Sequence, residues 1–225
     1  MKLENVVPWG RSFKEYREIF SLSNDDLKKS ILGCGDGPAS FNAELTSQGG
    51  NVVSIDPTYR FTTQELQGRI AEVYDEIMPQ IHTNKDKYLW ESIPSVKALG
   101  NIRMSAMEKF IADYEKGKKE ERYIEGALPV VSFSDKQFDL ALCSHYLFLY
   151  SEHVSLDEHI QSLVELNRVA KEVRVYPLLS LNGEISPHLQ AAMSALGDLG
   201  FSTSLVNVAY QFQKGATQML VVKSV

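Results

Sequence analysis

The chain has 225 residues, 44% hydrophobic and 23% charged, which is enough apolar material for one sizeable core. Its net charge of −6 argues against nucleic acid as a partner, because phosphates are held by a basic face. Two cysteines, Cys34 and Cys143, make neither a disulfide framework nor a zinc-ligand spacing. No run reaches the roughly 18 apolar residues of a membrane span, and MKLENVVPWG has no signal-peptide core. The expectation is a cytoplasmic protein of one domain, with no membrane partner and no metal.

In chain order, Ser12-Phe-Lys-Glu15 is a capping-box pattern, and Phe13, Tyr16, Ile19 and Phe20 fall at helical spacing. Ser23 predicts a second short helix to about Lys29, so residues 1–28 are expected to form a helical cap. A strand at 29–34 runs into the glycine-rich stretch 33-GCGDGPAS-40. Phe41 to Ser47 predicts a helix stopped by Gly49-Gly50, and 51-NVVSIDP-57 a buried strand ended by Asp-Pro.

From 62 to about 120 the texture is helical. Thr62-Thr-Gln-Glu65 and Ser105-Ala-Met-Glu108 are capping-box patterns, and Ile70, Val73, Tyr74, Ile77 and Ile81 recur at i, i+3, i+4. This predicts an insertion of two or three helices, with 116-KGKKEER-122 as a solvated helix end or loop. Strands resume at 122–129, 138–145 and 172–179, with a capped helix over 155–171. A helix at 187–196, a strand at 203–212, a Lys214-Gly215 turn and a strand at 216–224 close the chain as an antiparallel hairpin. Alternating strands and helices predict an α/β fold, a mostly parallel sheet with helices on both faces. Ligands in such sheets bind at the carboxyl ends of the strands where the order reverses, and the glycine stretch follows the first strand there.

A strand, glycine loop and helix let backbone N–H groups approach a ligand with no side chain between. Asp56 ends the next strand about twenty residues after Gly35, where a nucleotide-type unit keeps a ribose-binding carboxylate. The dinucleotide pattern G-x-G-x-x-G/A fails, since Ser40 or Pro38 stands in its last place.

With these residues the sequence resembles the class I S-adenosylmethionine (SAM) dependent methyltransferases. The resemblance is carried by Gly33-Cys-Gly-Asp-Gly-Pro-Ala39, Val52-Val-Ser-Ile-Asp56, 127-ALPVVSFSDKQFDLALCSH-145, and the closing helix, Gly200-Phe201 and two strands. It implies a Rossmann-like seven-stranded sheet and SAM as cofactor. It also implies methyl transfer by in-line displacement to a small-molecule acceptor. The cofactor residues it implies are Gly33, Cys34, Gly35, Asp36, Gly37, Asp56, Pro57, Ala127, Leu128 and Ser144, with Arg11 pairing the SAM carboxylate. The family usually carries an acid two positions before its first loop glycine. Here that position is Gly33, or Ile31 if Gly33 is counted first, and Asp36 is the candidate substitute. Glu125 is a further candidate for the adenine.

His145 and Tyr146 follow the fourth strand, where the resembled family lines its transfer site. His145 is a candidate general base or a pocket-lining residue. Tyr146, Phe148 and Tyr150 read as an aromatic wall or as core. Glu165, Arg168, Glu172 and Arg174 read as ion pairs, with a site role open for Arg174, and His82, His153, His159 and His188 as surface or capping residues. Two alternatives stay open: a SAM-binding or interaction module without catalysis, and an NAD(P)-dependent oxidoreductase.

Overall fold

The structure, a computed structural model, describes residues 9–224, so residues 1–8 of the expected helical cap lie outside the described residues. Seven strands form one sheet: β1 Ser30–Cys34, β2 Asn51–Ile55, β3 Tyr123–Ile124, β4 Phe138–Ser144, β5 Ala170–Tyr176, β6 Phe201–Asn207 and β7 Gln218–Ser224. Their order is β3-β2-β1-β4-β5-β7-β6. The pairs from β3 to β5 are parallel, while β7 runs antiparallel to both β5 and β6. The order reverses between β1 and β4, and this is where the glycine loop emerges.

β1 and β4 are apolar almost throughout because helices cover both faces of the sheet. The helices are α1 Phe13–Ile19, α2 Phe41–Ser47, α3 Thr63–Thr83, α4 Val96–Lys119, α5 Leu156–Val169 and α6 Leu189–Asp198. Period two sends Ile31 to one face, with Phe41, Leu45, Ile77 and Ile81, and Leu32 to the other, with Leu163, Leu166, Ala192 and Leu196. Each of these larger buried side chains, Ala192 aside, is worth roughly 1.5–3 kcal/mol, which fixes the strand register. Capping boxes start α1 at Ser12, α3 at Thr62 and α5 at Ser155.

Several expectations are corrected. The cap of α4 is Ser95, whose hydroxyl accepts from Ala98 N–H, so Ser105 and Glu108 lie inside the helix on its exposed side. Their spacing matches a capping box, but the backbone there is already bonded within the helix. α4 packs on α2 and β3, so it also serves as the crossover between β2 and β3, and α3 is the added element. Ser23 starts only one turn, Asp26–Lys28, with Ser23 and Asp26 bonding each other's backbone N–H. The strand expected at 122–129 is only Tyr123–Ile124, and β5 stops at Tyr176, before a proline that has no N–H to give. Arg122 is buried and paired with Asp113, Glu120 and Asn42, so the solvated run ends before it.

The closing hairpin is present, but its strands are β6 and β7, and residues 208–217 leave the sheet. Val208, Tyr210 and Phe212 alternate like a strand, yet they bury themselves on the helical side. Phe212 stacks on Tyr88 at 4.9 Å, and its carbonyl accepts from Leu89 N–H at 2.8 Å. Among the described residues no helix is long and apolar enough to cross a membrane.

Candidate active site

The loop after β1 turns back on itself. Gly35 N–H donates to the Ile55 carbonyl at 3.0 Å, and Gly35 (φ +68°) and Gly37 (φ +50°) are left-handed, a region glycine enters without strain. The turn throws the Asp36 carboxylate back over the end of β1, where a Cβ on Gly33 would lie 1.9 Å from Asp36 Oδ2. Asp36 Oδ1 accepts from the Tyr16 hydroxyl at 2.7 Å and Oδ2 from the Ser54 hydroxyl at 2.6 Å. Burial raises the Asp36 pKa to about 6; the two hydroxyls pull it down, and Asp56 pushes it up.

Asp56 stands at the end of β2. Its Oδ2 accepts from Gly37 N–H at 2.9 Å, and its Oδ1 from Thr58 N–H at 2.8 Å. It therefore caps the turn Pro57–Arg60 and borders the glycine loop at once. Burial raises its pKa too. Two carboxylates thus face one pocket beside a loop with little side chain.

The other end of the pocket is cationic. Gly10 lies against the Pro38 carbonyl, which holds the Trp9–Arg11 segment on the glycine loop. Arg103, buried in the middle of α4, donates to Glu15 Oε2 at 2.5 Å, and the Tyr210 hydroxyl donates to Glu15 Oε1 at 2.7 Å. Burial works to raise the Glu15 pKa, but the charge and hydrogen bond of Arg103 outweigh it and hold it at about 2. Glu15 is at once the N3 member of the α1 capping box and the counter-ion of Arg103.

His145 follows β4 in the left-handed region (φ +52°), held by its N–H on the Tyr176 carbonyl at 2.7 Å. Its Nδ1 lies 2.9 Å from the Ser144 hydroxyl, and its ring meets Tyr176 edge-on at 5.6 Å. Burial, then the charges of Arg11 and Arg103, push its pKa well below the usual imidazole range, so the ring is neutral.

Of the residues singled out in the sequence, Gly35, Asp36, Gly37, Asp56, Ser144, His145 and Arg11 line this one pocket. Gly33 lies beneath Asp36. Cys34 is buried in the core, paired in register with Cys143. Pro57, Ala127 and Glu125 are exposed, and none of these, nor Leu128, lines the pocket. Tyr146 lies against Gly35, packs partly buried on the α5-side core, and is not among the residues that line the pocket. Phe148 is core, and Tyr150 reaches the pocket. His159 is fully buried against Phe148, a correction to its surface reading. Arg174 pairs with Asp26 and Glu172, away from the pocket.

The sequence reading missed Arg103, Tyr210 and Tyr16 as pocket residues. Arg103 had a signal: it is the charged residue on an apolar stripe formed by Leu99, Met107, Phe110 and Tyr114. Tyr210 had none, since the contact with Glu15 spans nearly the whole chain.

No protein-family model matches the chain. It is similar to the uncharacterized protein MJ0045 of Methanocaldococcus jannaschii, with 29% identity over 224 residues, 99% of this chain and 98% of that protein. Among solved structures it is similar to the PH0226 protein of Pyrococcus horikoshii OT3, with a TM-score of 0.50, 14% identity, and coverage of 95% of this chain and 91% of that one. The magnesium protoporphyrin IX methyltransferase of Synechocystis PCC 6803, solved with bound S-adenosylhomocysteine (SAH), is similar with a TM-score of 0.47, 13% identity, and coverage of 94% and 81%. The sheet order and the antiparallel closing hairpin are those of the class I SAM-dependent methyltransferase fold, which is the fold of this chain.

Proposed function

We propose that the protein binds SAM and transfers its methyl group to a small-molecule acceptor. The observation that carries this reading is the pair of buried carboxylates, Asp36 and Asp56, flanking a glycine loop at the point where the strand order reverses. The residues fit the cofactor. Gly35 and Gly37 leave the loop backbone open, Asp36 offers a carboxylate to an ammonium group, and Asp56 offers one to vicinal hydroxyls. When bound, SAM supplies an electrophilic methyl group on a sulfonium sulfur.

What the chain adds is alignment and the exclusion of water. Ser144 and His145 border the pocket beyond β4, and α3, α4 and residues 208–217 roof it. A roofed pocket in an acidic protein supports a small acceptor over nucleic acid. Burial first, and then the charges of Arg11 and Arg103, make the neutral His145 a poor proton acceptor. An acid absent at Gly33 would favour a module without catalysis, and the Asp36 carboxylate lies where a Gly33 side chain would stand.

Calorimetric titration tests the reading. The wild type should bind SAM and SAH in the micromolar range, and Asp56→Ala should lose roughly 1.5–3 kcal/mol, the scale of a charge-assisted hydrogen bond. An unchanged affinity in that variant would remove Asp56 from the site. NAD binding in place of SAM would return the oxidoreductase reading.

A further inference from the structure

Arg11 lines the pocket with part of its guanidinium unbonded. Arg11 Nη1 donates to the Trp9 carbonyl at 2.6 Å, while its Nε is buried and has no hydrogen-bond partner among the described residues. With Nη1 engaged, the Nε and Nη2 edge is the side of this guanidinium left to take a carboxylate or phosphate through two parallel bonds. Arg103 brings a second guanidinium to the same pocket, and its Nε is also buried and unpartnered among the described residues. Glu15 is the counter-ion at this end, and it is spent on Arg103, Tyr210 and its own helix cap.

Two guanidiniums against one carboxylate leave the half-buried Arg11 without an ion-pair partner among the described residues, an arrangement that an arriving anion would stabilise. Asp36 and Asp56 do not supply it. Their oxygens serve Tyr16, Ser54, Gly37 and Thr58, and among the described residues neither forms an ion pair with Arg11. The pocket that Arg11 lines is also walled by aromatic and aliphatic side chains, among them Trp9, Tyr88, Leu99, Tyr176, Tyr210 and Phe212. Such a lining with one open charged fork suits a flat body carrying an oxyanion.

We propose that this end of the pocket is the acceptor subsite, and that it takes a carboxylate or phosphate borne on a flat apolar body and held by the Nε and Nη2 edge of Arg11. That this anion is the methyl acceptor rests on the methyltransferase reading; that the subsite binds it does not. The sequence expectation gave Arg11 to the SAM carboxylate. Arg11 lines the pocket with Arg103 and Tyr210, and the proposal gives its open edge to the acceptor instead.

The test titrates benzoate, phenyl phosphate and the neutral isostere benzamide into the full chain, free and saturated with SAH. At least one anion should bind about tenfold or more tightly than benzamide, the tighter of the two naming the oxyanion class. Arg11→Gln should bring that anion down to the benzamide level while SAH affinity stays within about threefold. Benzamide binding as well as both anions would overturn the proposal, as would no binding of any probe at millimolar concentration. So would an Arg11→Gln protein that loses SAH about tenfold and keeps the anion, since Arg11 would then serve the cofactor. Arg11-dependent anion binding in a protein that takes neither SAM nor SAH would uphold the subsite and refute the methyltransferase reading. If Arg11→Gln does not fold, the wild-type ratio of anion to benzamide decides.

Discussion

Asp36 sets its carboxylate in the space that a side chain on Gly33 would occupy, 1.9 Å from where the Cβ would stand. An acid expected at the end of β1 is instead delivered from the loop, three residues on, to the same place. The two positions therefore exclude each other. Gly33→Asp alone should weaken SAH binding more than tenfold, because two carboxylates would compete for one buried space (about 1.4 kcal/mol or more). Adding Asp36→Ala should restore most of the loss. Titrations of the single and double variants check this, and a double variant weaker than the single would refute the exchange.

The same buried carboxylate gives the free protein a pH signature. The Asp36 pKa is about 6 when folded, against an ordinary 3.8, so the folded state holds its proton more tightly than the unfolded chain. Stability from this group is complete below about pH 4 and lost as pH rises through 6, a cost of about 3 kcal/mol at neutral pH. Asp36→Asn should therefore be more stable than wild type at pH 7, with the gap closing towards pH 4. Urea unfolding at pH 4, 5, 6 and 7 reads it directly.

Glu15 carries the opposite sign. Its pKa lies at about 2 against an ordinary 4.5, so its stabilisation is present above pH 4.5 and drains away as pH falls towards 2. Glu15→Gln leaves Arg103 buried without a counter-ion and should cost about 3–5 kcal/mol at pH 7. The deficit should shrink below pH 4.5, which chemical denaturation across pH 7 to 2.5 would reveal.

The start of α4 separates two serines that look alike in the sequence. Ser95→Ala removes a hydroxyl that accepts from Ala98 N–H and should cost about 1 kcal/mol. Ser105→Ala touches an exposed position inside the helix and should change stability by less than about 0.5 kcal/mol. Thermal melts of the two variants compare them.

Much of the sheet was legible because its signals are local. Gly49-Gly50 stops α2, Asp56-Pro57 ends β2, and Ser155 with Glu158 starts α5, each within a few residues. The glycine loop and Asp56 were legible for the same reason. What escaped depends on distant partners. Residues 208–212 alternate like a strand, and the docking of Phe212 on Tyr88 makes them part of a roof. Glu15 read as a helix cap, and its second bond, to Arg103, crosses 88 positions of sequence. Arg11 could be suspected of binding an anion, but which anion depends on where Arg103 and Tyr210 fold.

In the proposed function Asp36 does the work of the missing acid in holding SAM. Its most direct test is a calorimetric titration of SAH into wild type and Asp36→Ala side by side at pH 7. The wild type should bind at micromolar concentration and the variant should lose about tenfold or more (roughly 1.5–3 kcal/mol for a charge-assisted bond). Equal affinity in the two proteins, or no binding by the wild type at millimolar SAH, would contradict it.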